Sequence, residues 1–231
     1  VDYLPVNKFG MINPSDLEDI ISEKTSLVSV MFGNNEVGTI QPIQKIAKIC
    51  HENQIIFHTD AVQAVGKITV DVKELDIDLL SISSHKLHGP KGIGALYIKN
   101  GVKINPMILG GGQEFRLRSG TENVANIVGF GQACEIAQNH LVENSSLINK
   151  LQSELVKKIL AEIPEVTFNG HEEYRLCNNA HFTFLGVNGE DLIIKLDEYG
   201  IAASTGSACS VNTQKASHVL EAMGFSLEQI T

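Results

Sequence analysis

Four short aliphatic runs, each closing on polar or turn-forming residues, constrain this chain more than any other feature. Ser26 to Phe32 breaks at Gly33-Asn34-Asn35-Glu36-Val37-Gly38. Ile55-Ile56-Phe57 ends at His58-Thr59-Asp60, Asp78 to Ser83 runs into Ser84-His85-Lys86, and Ile93 to Ile98 follows. Runs of this length and composition read as strands. After Pro42 the apolar residues Ile43, Ile46, Ala47, Ile49 and Cys50 recur with helical spacing, and Asp71 to Ile77 is compatible with a short helix. Strand and helix in alternation predict an α/β core with much parallel pairing. In open sheets of that kind, ligands bind beyond the carboxyl ends of the strands.

From Thr121 the spacing becomes helical and stays so, with breaks, to Ile163, just before Pro164. This stretch is expected to join two domains, set at residues 1–138 and 139–231. The second reads as a smaller α+β unit, with strands at 166–168 and 180–184 and helices at 190–199 and 214–223. There is no internal repeat and no low-complexity segment, which disfavours a repeat array.

With 231 residues, 43% of them hydrophobic, the chain can bury a sizeable core. A formal net charge of −9 and the absence of a basic stripe argue against direct nucleic-acid binding. No apolar run approaches the ~20 residues that cross a bilayer, and the first residues lack a signal-peptide layout. The expected location is cytoplasmic, with no membrane association. Cys50, Cys134, Cys177 and Cys209 form no CxxC pair, so reduced thiols are expected rather than disulfides or structural zinc. The histidines form no His-x-x-x-His ligand pair, and no residue is assigned a metal role. Val1 stands in place of an initiator methionine and Thr231 is followed by no closing segment, so the chain reads as an excerpt.

Two of the strand ends carry the chemistry. Asp60-Ala61-Val62-Gln63 closes one predicted strand and Lys86 lies just past another, so parallel pairing would gather Asp60, Gln63 and Lys86 around a common ligand. Pyridoxal 5'-phosphate uses such a set well: an aspartate pairs with the protonated ring nitrogen, a lysine amine joins the aldehyde carbon, and amides hold the phenolate oxygen. Ser83 and His85 can supply phosphate donors from the lysine's own turn, and Asn35 can contact the phenolate or the substrate. Gly89, Gly92 and Gly94 permit sharp turns but match no P-loop, since no Gly-Lys-Ser/Thr ending occurs. Taken singly, Lys86 reads as a surface lysine, Asp60 as a cap or turn residue and Thr121 as a helix cap. Their order along the chain is what favours function.

Asn34-Asn35-Glu36-Val37-Gly38, Asp60-Ala61-Val62-Gln63, Ser83-Ser84-His85-Lys86, Arg118-Ser119-Gly120-Thr121-Glu122-Asn123 and Ser207-Ala208-Cys209 resemble, in the same order, the motifs of cysteine desulfurases of the NifS/IscS type. These belong to the class V branch of the pyridoxal-phosphate aminotransferases. The resemblance implies fold type I: a mostly parallel sheet in a large cofactor-binding domain, plus part of a smaller α+β domain. It implies that Lys86 holds pyridoxal phosphate, Asp60 its ring nitrogen and Gln63 its phenolate oxygen. Asn35 would help position cofactor and substrate, and Ser83 and His85 would bind the phosphate. Thr121 would reach the phosphate of a neighbouring subunit, hence a homodimer.

Cys209, in a Gly/Ser-rich stretch, would accept sulfur from L-cysteine, leaving L-alanine and a persulfide. The persulfide would pass to an acceptor protein such as an iron-sulfur scaffold or a tRNA-thiolation protein. The resemblance aligns with the middle of such an enzyme. Family members also carry an amino-terminal phosphate loop with a ring-stacking histidine, and an arginine beyond the carboxyl end that grips the substrate carboxylate. A selenocysteine lyase and a noncatalytic protein-binding remnant of the same fold stay open as alternatives.

Overall fold

The computed structural model describes residues 1–206 and 217–226. The chain forms two compact units, one comprising Ser22–Phe32 and Ile43–Glu143, the other Val1–Ile21, Gly33–Pro42 and Asn144–Thr231.

The first unit is built on a four-stranded sheet in the order β1 (Leu27–Met31), β2 (Ile56–Asp60), β3 (Leu79–Ser83), β4 (Gly94–Ile98). The first three strands are parallel, with Met31 opposite Asp60 and Asp60 opposite Ser81. β4 runs antiparallel to β3. Only residues 84–93 connect these two strands, and a parallel return needs a crossover of about a dozen residues or more.

Side chains alternate across a strand, and β1 and β2 bury every second residue. Val28, Val30, Phe57 and Leu80 fall on the buried side. The helix α2 (Ile43–Glu52) packs on β2 and buries Ile43, Ile46, Ala47 and Cys50, as its spacing predicts. Phe57 and Ile46 are fully buried, each stabilising the unit by roughly 1.5–3 kcal/mol. The opposite face carries Ser29, His58, Asp60, Ser81 and Ser83.

Residues 72–76 form turns rather than the expected short helix. The Asp71 carboxylate accepts the Lys73 and Glu74 amides, and Asp76 takes the left-handed conformation at φ +50°, which stops helical propagation. The long helical stretch resolves into α3 (Val124–Asn139) and α4 (Leu141–Glu162), broken at His140.

The second unit contains the antiparallel pair β5 (Val166–Asn169) and β6 (His181–Phe184), with α5 (Gly189–Glu198) and α6 (His218–Ala222). The helix α1 (Pro14–Ile20) is unanticipated by periodicity. Its local signals are an Asn13 cap that accepts the Ser15 amide and a proline at the first helical position. Val37, Leu220 and Met223 form a buried cluster. Of the helix expected at 214–223, residues 214–216 lie outside the described residues. Among the described residues no helix is long and apolar enough to cross a membrane.

Candidate active site

The parallel register brings the ends of β2 and β3 side by side. Asp60 is the last residue of β2, and Ser83, two residues beyond its partner Ser81, is the last of β3 on the same face. The Asp60 backbone carbonyl accepts the Phe32 amide at 2.8 Å, and its Oδ1 accepts the Val62 amide at 2.9 Å. No group among the described residues bonds Oδ2, so one oxygen of this half-buried carboxylate is held while the other is uncommitted. Gln63 lies on the turn that follows, which is closed by the Ala64 and Val65 amides donating to Ala61.

Lys86 sits on a 3-10 turn, Ser84–Leu87, that begins where β3 ends. The turn is fixed from several directions. Ser84 donates its amide to Ile93, Gly89 donates to Ser84, and His88 closes the turn at φ +61°. Leu87 is buried against Phe130 and Ala133 of α3. Lys86, one residue back, is exposed. Burial of Leu87 thus anchors the backbone while the adjacent amine stays accessible. Lys67 Nζ donates to the Lys86 carbonyl at 3.4 Å.

Ser83 Oγ and His85 Nδ1 are 2.8 Å apart. If the hydroxyl donates to Nδ1, the Nε2–H of a neutral His85 remains a donor. In the other tautomer Nδ1 donates and the hydroxyl proton is released. Either way the pair keeps a donor for an anion.

His58 was not singled out in the sequence. It lies two residues before Asp60 on the same face, a spacing that period-two reading of β2 would have flagged. Its Nδ1 lies 2.7 Å from Ser29 Oγ and its Nε2 lies 2.9 Å from Ser81 Oγ, so it links three strands. Burial lowers its pKa, partly opposed by the charge of Asp60, and the ring is neutral at pH 7.

The remaining candidates are placed differently. Thr121 is exposed before α3, and the cap of that helix is Asn123, whose side chain accepts the Asn126 amide. Asn35 belongs to the other unit, exposed on a turn in which Asn34 Oδ1 accepts the Glu36 and Val37 amides at 2.8 and 2.9 Å. Cys209 lies outside the described residues. Cys50 and Cys177 are buried, and burial, reinforced by Asp78, pushes the Cys50 thiol up to about 12. Burial also raises the Cys134 thiol.

Residues 1–229 match the family described as Aminotransferase class-V. The chain is 52% identical over 224 residues to the cysteine desulfurase IscS of Methanosarcina thermophila, covering 97% of this chain and 55% of that protein. A solved structure described as a NifS-like protein superposes with a TM-score of 0.90 at 40% identity, covering 100% of this chain and 60% of that one. A structure described as SspA in complex with cysteine gives a TM-score of 0.82 at 34% identity, with 100% and 63% covered. The chain therefore spans somewhat over half the length of these relatives.

Proposed function

Because the chain belongs to the class-V aminotransferase family, we propose that it carries the lysine and the sulfur-accepting cysteine of a pyridoxal-phosphate-dependent cysteine desulfurase. Its fold is α/β, pyridoxal-phosphate fold type I, with three of the four strands of the main sheet parallel. The observation that carries the reading is the meeting of Asp60 and the Ser83–Lys86 turn at neighbouring strand ends, in a chain 52% identical to a cysteine desulfurase.

The donor set suits the cofactor. A carboxylate with one uncommitted oxygen matches a protonated ring nitrogen, an exposed amine on an anchored turn matches an aldehyde, and the Ser83–His85 pair matches a phosphate. When bound, pyridoxal phosphate supplies an electron-withdrawing ring that acidifies the substrate α-carbon. Lys86 would hold it covalently through Nζ, and the same amine would move the substrate α-proton. Asp60 would keep the ring nitrogen protonated, Gln63 would hold the phenolate oxygen, and Asn35 would help position cofactor and substrate.

The Cys209 thiolate attacks the sulfur of L-cysteine, so the carbon–sulfur bond breaks as a sulfur–sulfur bond forms. The carbon skeleton takes up a proton and leaves as L-alanine. The resulting persulfide passes to an acceptor protein, such as an iron-sulfur scaffold or a tRNA-thiolation protein. In this reading residues 1–138 belong to the cofactor domain and 139–231 to the smaller domain. The protein is a cytoplasmic homodimer, with Thr121 of one copy reaching the phosphate held by the other.

The test is to incubate the full-length protein, loaded with pyridoxal phosphate, with L-cysteine. Equal amounts of alanine and of added sulfur on the Cys209 peptide are expected in a single turnover, with both lost in Cys209→Ser. Alanine formation that persists in Cys209→Ser would remove Cys209 from the reaction.

A further inference from the structure

Glu36 is a carboxylate only 5% exposed, in a turn whose neighbour Asn35 is exposed. A buried acid needs compensating partners. Among the described residues its side-chain partner is Ser217, 7% exposed, whose Oγ donates to Glu36 Oε2 at 2.5 Å and accepts the Leu220 amide at 3.2 Å. The same carboxylate oxygen lies beside Gly206. A Cβ added there would stand 3.4 Å from Glu36 Oε2 and 2.7 Å from His181 Nε2.

Gly206 and Ser217 are the residues on either side of the stretch 207–216, which contains Cys209. One flank, Ser217, therefore bonds this buried carboxylate and the other, Gly206, neighbours it. Glu36 is itself held in place: Asn34 Oδ1 accepts its amide at 2.8 Å, and Asn179 Nδ2 donates to its carbonyl at 2.6 Å. Arg175 in turn donates to Asn179 Oδ1 at 2.9 Å and to the Val37 carbonyl at 2.8 Å.

On this geometry we infer that Glu36 is a positioning residue for the Cys209 segment, fixing its two roots to the turn that presents Asn35. The inference rests on the reading of Cys209 as sulfur acceptor. The side chain of Glu36 takes no part in the chemistry. It fixes Ser217 through a charge-assisted hydrogen bond and neighbours Gly206, the two residues that bracket Cys209 in the sequence. The glycine serves a steric role, because an alanine would press on the His181 ring.

The test compares Ser217→Ala, Ser217→Thr and Gly206→Ala with the natural full-length protein, each loaded with pyridoxal phosphate. Iodoacetamide labelling of Cys209 is followed by peptide mass spectrometry, with Cys50 as the internal marker of folding. Ser217→Ala is expected to change the Cys209 labelling rate by about tenfold, the size of one lost charge-assisted hydrogen bond. Cys50 stays unlabelled and cofactor absorbance is unchanged. Ser217→Thr, which keeps the hydroxyl, restores the natural rate, and Gly206→Ala shifts it as Ser217→Ala does.

Cys209 labelling within twofold of the natural rate in both alanine variants would overturn the inference. So would a change matched by labelling of Cys50, which marks general unfolding. The labelling readout does not depend on turnover. A protein that makes no alanine from cysteine would contradict the proposed function while leaving the anchoring result to be read separately.

Discussion

Leu87, the residue after Lys86, packs against Gly66 so closely that a Cβ on the glycine would stand 2.5 Å from Leu87 Cδ2. Gly66 also holds φ at +77°, where side chains are disfavoured. The lysine turn is thus seated on a position that only glycine fills. Gly66→Ala combines backbone strain with overpacking and should cost about 1–3 kcal/mol. Urea unfolding measures the loss, and weaker retention of pyridoxal phosphate on dialysis should accompany it, since displacing Leu87 displaces Lys86.

Asp60→Asn keeps an oxygen for the Val62 amide but removes the negative charge that, in the proposed function, would face the ring nitrogen. Losing a hydrogen bond to a charged group should lower kcat by about 10- to 100-fold. Steady-state alanine formation checks this, and the unfolding midpoint without cofactor should change little.

The His181 imidazole is pushed down to about 4 by burial, with the nearby Arg175 charge adding to the effect. Its Nδ1 lies 2.9 Å from Asn169 Nδ2, a donor, which leaves no room there for a second proton. The unfolded chain, with a histidine pKa near 6.5, binds the proton first as pH falls. Stability should therefore decline from about pH 6.5 downward, by on the order of 3 kcal/mol once pH reaches about 4. Denaturant unfolding at pH 7.5 and pH 5 reads the slope, and His181→Asn should flatten its share of it.

Cys50 behaves as a core residue despite its thiol. With its pKa pushed up to about 12, it holds almost no thiolate at pH 8. Iodoacetamide should leave Cys50 unlabelled in the native protein and label it fully in guanidinium chloride.

Much of the sheet was legible because each strand is a short apolar run with a polar end, and α2 because its buried residues repeat with helical spacing. The direction of β4 follows from the ten residues available to reach it, a length that the sequence displays but periodicity does not weigh. Residues 71–77 misled because Asp71 and Asp76 impose turns through their own side chain and backbone, whereas the pattern counts only apolar spacing.

The candidate site was legible where residues sit at strand ends, as Asp60 and Lys86 do. His58 and Glu36 were hidden for opposite reasons. A histidine within a strand reads as packing, and a glutamate in a polar loop reads as solvated. Only the three-dimensional placement reveals the Ser29–His58–Ser81 chain and the burial of Glu36 against Ser217.

Lys86 is the proposed covalent anchor of pyridoxal phosphate. Reduction of the cofactor-loaded full-length protein with borohydride, followed by digestion and peptide mass spectrometry, tests it directly. The expected result is a phosphopyridoxyl group on the peptide at Lys86, absent in Lys86→Ala. A reduced adduct found on Lys67 or Lys91 instead, with Lys86 unmodified, would contradict it.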